Sequence, residues 1–385
     1  MFELTEEQAA LRDMAANLAQ ERYASKVEEW DESFTFFPKE EKQYLASLGL
    51  MGICLPEEYG GSGADLLDAL IVIEELAKVS QLAAFYVFEA NTGPARVVQM
   101  FGTEEQRQKF LPPIVAGENV MAVAISEPDA GSAATDMTTQ ARQEGDEWVI
   151  SGMKRWCSGG GHAEQYLVYC RMSDEVGSKA IGAIVVDADA DGVSFGKQEQ
   201  FMGFHGIPSA DIFFDEVRVP AVNMIVPAGG FKDLFTAFSI ERLGNTTMSL
   251  AIGQACLDRT AAYVQDREQF GKDIVEFQGV QQALADMILQ VEASRLLLYR
   301  AAINAGKGAP PTLEASLAKC YANEMAKKVS DTAIMLHGAN GYSKEYGIER
   351  YHRDAHGWAI AGGTPTIQRT RIVSEYLGRG FNQRK

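Results

Sequence analysis

The feature that most constrains the fold is a change of hydrophobic period along one chain, from helical to strand-like and back. Residues 1 to 117 carry apolar positions at helical spacing, in TEEQAALRDMAANLAQERY, LLDALIVIEELAKVS and TEEQRQKFLPPIVAG. Thr5 with Gln8 makes a capping-box pattern that opens the first of these. LPEEYGGSG, residues 55–63, has turn residues and no period, and reads as a loop. From 118 to 228 the runs EWVISGMKRWC, QYLVYCRM, IGAIVVDAD and SADIFFDEVRVP are short and rich in β-branched and aromatic residues. From 229 to 385 come ERLGNTTMSLAIGQACLDRTAAYVQDREQF, QGVQQALADMILQVEASRLLLYRAAINAG and TLEASLAKCYANEMAKKVSDTAIMLHG. Each exceeds twenty residues and is apolar all round, which requires burial among other helices or at a subunit interface. A chain of 385 residues is too long for one small core. The expected class is therefore α+β: an N-terminal helical domain (1–117), a middle β-domain, sandwich or barrel (118–228), and a C-terminal helical bundle (229–385).

Charge and cysteine usage exclude several functions. With 53 acidic against 35 basic residues the formal charge is −18, which disfavours nucleic acid or an anionic membrane as partner. An anionic substrate would need a local basic patch. Cys54, Cys157, Cys170, Cys256 and Cys320 show no CxxC or CxxH spacing, so reduced thiols in a cytoplasmic setting are expected and a metal site is not. The N-terminal MFELTEEQ lacks a basic stretch followed by an apolar run, so no signal peptide is expected. No apolar run approaches the ~20 residues that span a bilayer, and a soluble protein is expected.

The glycine-rich stretches match no phosphate motif: SGGGHAE lacks both GxGxxG spacing and a P-loop lysine. The five histidines, at 162, 205, 337, 352 and 356, are dispersed and read as structural or solvated.

Five ordered segments are far more specific together than singly. AISEPDAGS (124–132), WCSGG (156–160), REQFGKDIVEFQ (267–278), HGANGYSKEY…RD (337–354) and AGGTPTIQR (361–369) resemble, in that order, the signature segments of the acyl-CoA dehydrogenase family. The resemblance covers essentially the whole chain and makes the C-terminal domain a four-helix bundle. It implies a flavoprotein oxidoreductase that binds FAD and desaturates an acyl-CoA, passing electrons to an electron-transferring flavoprotein. It further implies a homo-oligomer, a tetramer built as a dimer of dimers. Ser126 and Ser158 would then hydrogen-bond the flavin edge, and Trp156 would pack on the ring. Arg267, Gln269, Phe270 and Gln278 would meet the FAD of a neighbouring subunit. Gly338, Gly341 and Thr364 would line its adenosine and ribityl path. Three positions depart from the family pattern: Met335 for a glutamine, Ala339 for a glycine and Ala133 for an aspartate.

Dehydrogenation needs a carboxylate at the substrate α-carbon and polarisation of the thioester carbonyl. Most of the family places that base where this chain has Gly362. A minority, resembling isovaleryl-CoA and long-chain members, carries it on the helix after the β-domain, just before an arginine; here that is Glu241 followed by Arg242. Taken alone, Glu241 reads as a surface helical glutamate. Paired with Gly362 it becomes the candidate base, with the Gly362 N–H donating to the carbonyl. Arg242 or Ser132 would contact the CoA portion. Glu89 would lie in the acyl pocket, as a floor residue, a reader of a polar group or a second base. Family members acting on dicarboxylyl or sulfinated chains place an arginine close to residues 84–85; Ala84 and Phe85 argue against a distal anion, and Phe85, Tyr86 and Phe88 suggest an apolar, branched, cyclic or aromatic acyl group. Two other readings stay open: enoyl-CoA reduction or elimination on the same fold, and a non-catalytic acyl-CoA- or flavin-binding protein.

Overall fold

The computed structural model describes residues 3–381. Its first third is helical: α1 (Glu6–Leu18), α2 (Val27–Ser33), α3 (Lys39–Ser47), α4 (Leu66–Val79), α5 (Gln81–Thr92), α6 (Ala95–Phe101) and α7 (Glu104–Val115). Thr5 with Gln8 and Thr103 with Gln106 form reciprocal capping boxes on α1 and α7. Each such cap contributes about 1 kcal/mol. Every residue of α5 is buried, so this helix is enclosed on all sides.

The middle strands are β1 (Met121–Ala124), β2 (Gln140–Glu144), β3 (Glu147–Ser158), β4 (Gln165–Arg171), β5 (Ile181–Asp187), β6 (Val193–Phe195), β7 (Ser209–Pro220) and β8 (Met224–Val226). They form one eight-stranded sheet in the order β6-β7-β3-β2-β4-β5-β8, with β1 beside β4. The halves meet where β2 touches β4 through the single pair Gln140–Arg171, so the sheet folds over there. Between Lys154 and Cys157 the β3–β7 register shifts. Trp156 sits in that irregularity with φ +60°, as expected of a bulge that re-aims a side chain.

The last part comprises α8 (Phe231–Asp266), the hairpin β9 (Glu268–Gln269) and β10 (Lys272–Asp273), α9 (Gln278–Ala305), α10 (Thr312–His337), α11 (Ala339–Tyr342), α12 (Ile348–Ile360) and α13 (Pro365–Leu377). Helix α10 packs against α8, α9, α12 and α13. The sequence pattern carried the first long helix through Phe270, but α8 stops at Asp266 and Arg267 is extended. Phe270 (φ +55°) and Gly271 (φ +79°) then turn the chain into the hairpin, which helical backbone cannot do.

Two joints fix how the helical domains meet. A Cβ on Gly244 would lie 2.4 Å from Phe88 Cδ2 and from Thr92 Oγ1, so glycine is what lets α8 pack directly on α5. Helix α12 is tied to the N-terminal helices: the Trp358 indole donates to Gln81 Oε1 (2.7 Å), Tyr351 to Lys78 O (2.6 Å), and Arg353 to Asp31 Oδ2 (2.6 Å). No helix among the described residues is long and apolar enough to cross a membrane.

Candidate active site

Helix α8 carries Glu241, Arg242 and Asn245 within two turns. Glu241 keeps a partly open face, yet its carboxyl lies deep enough that burial raises it to about 8, against the opposing pull of Arg242 and Lys319. Arg242 is buried; its Nη1 donates to Ser239 Oγ (3.0 Å) and its guanidinium lies over the Phe238 ring at 5.1 Å. Burial and the Arg371 cation lower its proton affinity, but a guanidinium keeps its charge. Its Nε has no partner among the described residues.

Glu89 approaches from α5. It is buried, its Oε2 has no partner among the described residues, and burial followed by the Glu241 charge pushes its carboxyl well above the ordinary range. Burial, and after it the Glu241 charge, raises the Tyr169 phenol, on β4. The Glu241 charge thus acts on the Glu89 carboxyl, the Tyr169 phenol and the Arg242 guanidinium. A site of this kind holds a proton near neutral pH, as a general base for a weak carbon acid requires.

The turn 361–364 joins α12 to α13. Gly362 has φ +69°, a conformation that favours glycine. Its N–H has no acceptor among the described residues. Asn245 Nδ2 donates to Trp358 O (3.1 Å) and Ala361 O (3.3 Å), which fastens this turn to α8 one helical turn from Glu241. Thr364 caps α13 through Ile367 N (3.4 Å).

The segments holding Ser126 and Trp156 are joined by a buried lysine. Lys154 Nζ donates to Glu127 Oε1 (2.8 Å) and Ile125 O (3.0 Å), while Glu127 also accepts from Thr139 N (2.9 Å). Lys154 and these donors outweigh burial and hold Glu127 at about 2. Arg155 N donates to Ser126 O (2.8 Å). Ser126 and Trp156 are therefore rigidly related, and the Trp156 side chain remains 48% exposed with the Arg155 guanidinium 4.2 Å from its ring centroid. The hydroxyls of Ser126 and Ser158 make no side-chain hydrogen bond among the described residues. An exposed indole held out by a bulge beside two unused hydroxyls fits a planar, edge-bonding ring system.

Arg267, Gln269, Phe270 and Gln278 are exposed on the hairpin and the start of α9, Phe270 at 94%. Gly338 and Gly341 lie close by: Tyr263 accepts Arg267 N at its carbonyl (2.9 Å), and its hydroxyl accepts Asn340 Nδ2 (3.0 Å). Ser132 is exposed, on the loop beyond Glu127, and Phe85 is buried in α5, edge-on to Tyr86. The Glu241–Glu89–Arg242–Gly362 group and the hairpin group are two separate sets. Sequence reasoning missed Lys154, Tyr169, Asn245, Lys319 and Asn323. Asn245, four residues after Glu241, and Asn323, four after Lys319, lie at the spacing that puts two side chains on one helix face. That was the available signal.

The described residues thus offer a carboxyl raised by burial on α8, a glycine turn that Asn245 fastens to that helix, and, on β3, an exposed indole. The chain belongs to the acyl-CoA dehydrogenase family, flavoprotein oxidoreductases acting on acyl-CoA. Its N-terminal, middle and C-terminal domain models match residues 5–118, 122–217 and 228–377. The chain is 39% identical to the 3-sulfinopropanoyl-CoA desulfinase of Paraburkholderia xenovorans over all of both chains. It is 34% identical to the caffeyl-CoA reductase-Etf complex subunit CarC of Acetobacterium woodii, covering 97% of this chain and 99% of that one. The butyryl-CoA dehydrogenase of Megasphaera elsdenii superposes with a TM-score of 0.94 at 33% identity, over 98% of this chain and 100% of the other.

Proposed function

We propose that the chain is an FAD-dependent acyl-CoA dehydrogenase that oxidises an acyl-CoA thioester between its α and β carbons. The observation that carries this reading is Glu241 on α8, the helix that Asn245 fastens to a turn where Gly362 leaves the more usual base position without a side chain. Glu241 takes the α-proton. The Gly362 N–H donates to the thioester oxygen, where negative charge develops as that proton leaves. Ser126, Trp156 and Ser158 hold the isoalloxazine. FAD supplies the acceptor for the hydride lost from the β-carbon. One proton and one hydride leave, and the acyl group becomes the α,β-enoyl thioester.

Other residues divide between cofactor, substrate and partner. Arg267, Gln269, Phe270 and Gln278, exposed at the hairpin and the start of α9, reach the FAD of a second subunit in a homotetramer; Gly338, Gly341 and Thr364 flank its path. Arg242 or Ser132 contacts the CoA portion. Glu89 and Phe85 face the acyl chain, and electrons pass to an electron-transferring flavoprotein in the cytoplasm. The likeness to a subunit of an Etf complex supports that partner.

The test is Glu241→Gln, which keeps shape and removes the base. The variant retains its flavin band but loses reduction by acyl-CoA, by about 10²–10⁴-fold, the usual worth of a general base. A Gln variant reduced at the wild-type rate sinks the assignment. A second reading, elimination or enoyl-CoA reduction at the same site, is favoured by relatives named as a desulfinase and a reductase. Product analysis separates it: a dehydrogenase converts saturated acyl-CoA to enoyl-CoA, whereas the alternatives release a leaving group or run the reverse way.

A further inference from the structure

We propose that Asn245 is a positioning residue of this site: its side-chain amide holds the Ala361 carbonyl and occupies Trp358 O, and so keeps the Gly362 N–H free to donate to the thioester oxygen. The inference rests on the dehydrogenase reading for what that N–H meets, and adds the group that decides which way it points.

The Ala361–Gly362 peptide is trans, so its carbonyl and its N–H point in opposite directions. Asn245 Nδ2 donates to Ala361 O (3.3 Å) and to Trp358 O (3.1 Å), and an amide nitrogen has one hydrogen for each. These two acceptors fix which way the amide faces, because a carbonyl only accepts. Asn245 Oδ1 then accepts from Asn323 Nδ2 (3.0 Å), which also donates to Ser249 Oγ (2.7 Å), and Asn323 Oδ1 accepts from Lys319 Nζ (2.7 Å). All four side chains are buried. The network needs a donor at Lys319, which the amine supplies with or without its charge.

The restraint matters because glycine leaves this peptide two orientations. Ala361 has φ −63° and ψ 146°, and Gly362 has φ +69°. Turning the peptide over brings ψ of Ala361 to about −34° and φ of Gly362 to about −111°, helical values for the alanine and open to a glycine. Helix α12, which ends at Ile360, would then run on by one residue. The Gly362 N–H would donate four residues back, to Trp358 O. Asn245 occupies that oxygen, which also has Lys319 Nζ at 3.5 Å, and holds the Ala361 oxygen in the other orientation. The hydrogen bond to the Ala361 oxygen also polarises the peptide, which makes its N–H a stronger donor.

The experiment follows hydrogen exchange at Gly362 in the FAD-loaded protein by NMR. With carbon-13 in the alanine carbonyls and nitrogen-15 in glycine, a carbonyl-selected amide spectrum keeps only the glycines that follow alanine: Gly117, Gly131, Gly229, Gly306 and Gly362. The signal lost in Ala361→Ser is Gly362. In the wild type it exchanges fast, and millimolar acetyl-CoA, which has the thioester but no β-carbon to oxidise, slows it. In Asn245→Leu the N–H bonds Trp358 O instead, and its exchange slows by on the order of tenfold or more without any ligand. Asn245→Ala gives the same result and keeps the test available if the leucine variant does not fold. A purely structural role predicts the reverse, faster exchange at Gly362, with the other four amides reporting any general loosening. A Gly362 amide that is protected in the wild type, that ignores acetyl-CoA, or that exchanges as fast in a folded variant as in the wild type overturns the inference. None of these readouts involves Glu241 or turnover. Failure of the dehydrogenase reading would appear instead as flavin reduction surviving in Glu241→Gln while the Gly362 pattern stays intact.

Discussion

Changing the pH tests Glu241 without a substitution. Burial raises its carboxyl to about 8, so at pH 7 about one tenth of free enzyme molecules carry the ionised base, and at pH 6 about one hundredth. If Glu241 takes the α-proton, the second-order rate constant for flavin reduction follows that fraction. It climbs about tenfold per pH unit up to pH ~7.5 and flattens above pH ~9. The assay is anaerobic stopped flow, following the oxidised-flavin band after mixing with sub-saturating acyl-CoA, because that regime reports the free enzyme. The rate constant at saturation reports the complex, where an enclosed thioester changes the surroundings of Glu241. A flat profile between about pH 6 and 9, or a midpoint near that of an ordinary glutamate, would refute the argument that burial sets the proton affinity of the base.

Further outcomes depend on particular contacts. Because the folded-state value of Glu241 is raised, its contribution to stability is present at low pH and lost as pH rises through about 8; wild type therefore loses more Tm than Glu241→Gln between pH 7 and 9 in thermal melts. Gly244→Ala puts a methyl 2.4 Å from Phe88 Cδ2 and costs about 1–3 kcal/mol, read in denaturant unfolding; an unchanged midpoint means that α5 and α8 are not in direct contact there. Arg267→Ala loosens FAD and the oligomer together, seen as substoichiometric flavin and a smaller species in size-exclusion chromatography with light scattering. Stoichiometric flavin in an intact assembly would rule the interface role out.

The order of helical, strand and helical segments was legible because period and β-branching are local properties. The four sequence runs taken for strands correspond to β3, β4, β5 and β7. The helix end at Asp266 was not, since REQF continues a helical composition and only the positive φ of Phe270 and Gly271 turns the chain. How the strands connect was also hidden: one pair, Gln140–Arg171, joins the two halves of the sheet. At the candidate site, Glu241 stood out only because position 362 is glycine. Lys319 and Lys154 did not stand out, because a lysine in a helix or strand normally reads as solvated. Their burial depends on partners 39 and 27 residues away, which no local pattern reveals.

The most direct measurement is an anaerobic titration of the purified protein with saturated straight, branched, cyclic and aryl acyl-CoAs, recording the visible spectrum and then the products. The account predicts a bound-flavin band that one of these classes bleaches, with the matching enoyl-CoA formed in equal amount. A flavin band that every saturated acyl-CoA leaves unchanged, and that no enoyl-CoA product accompanies, contradicts it.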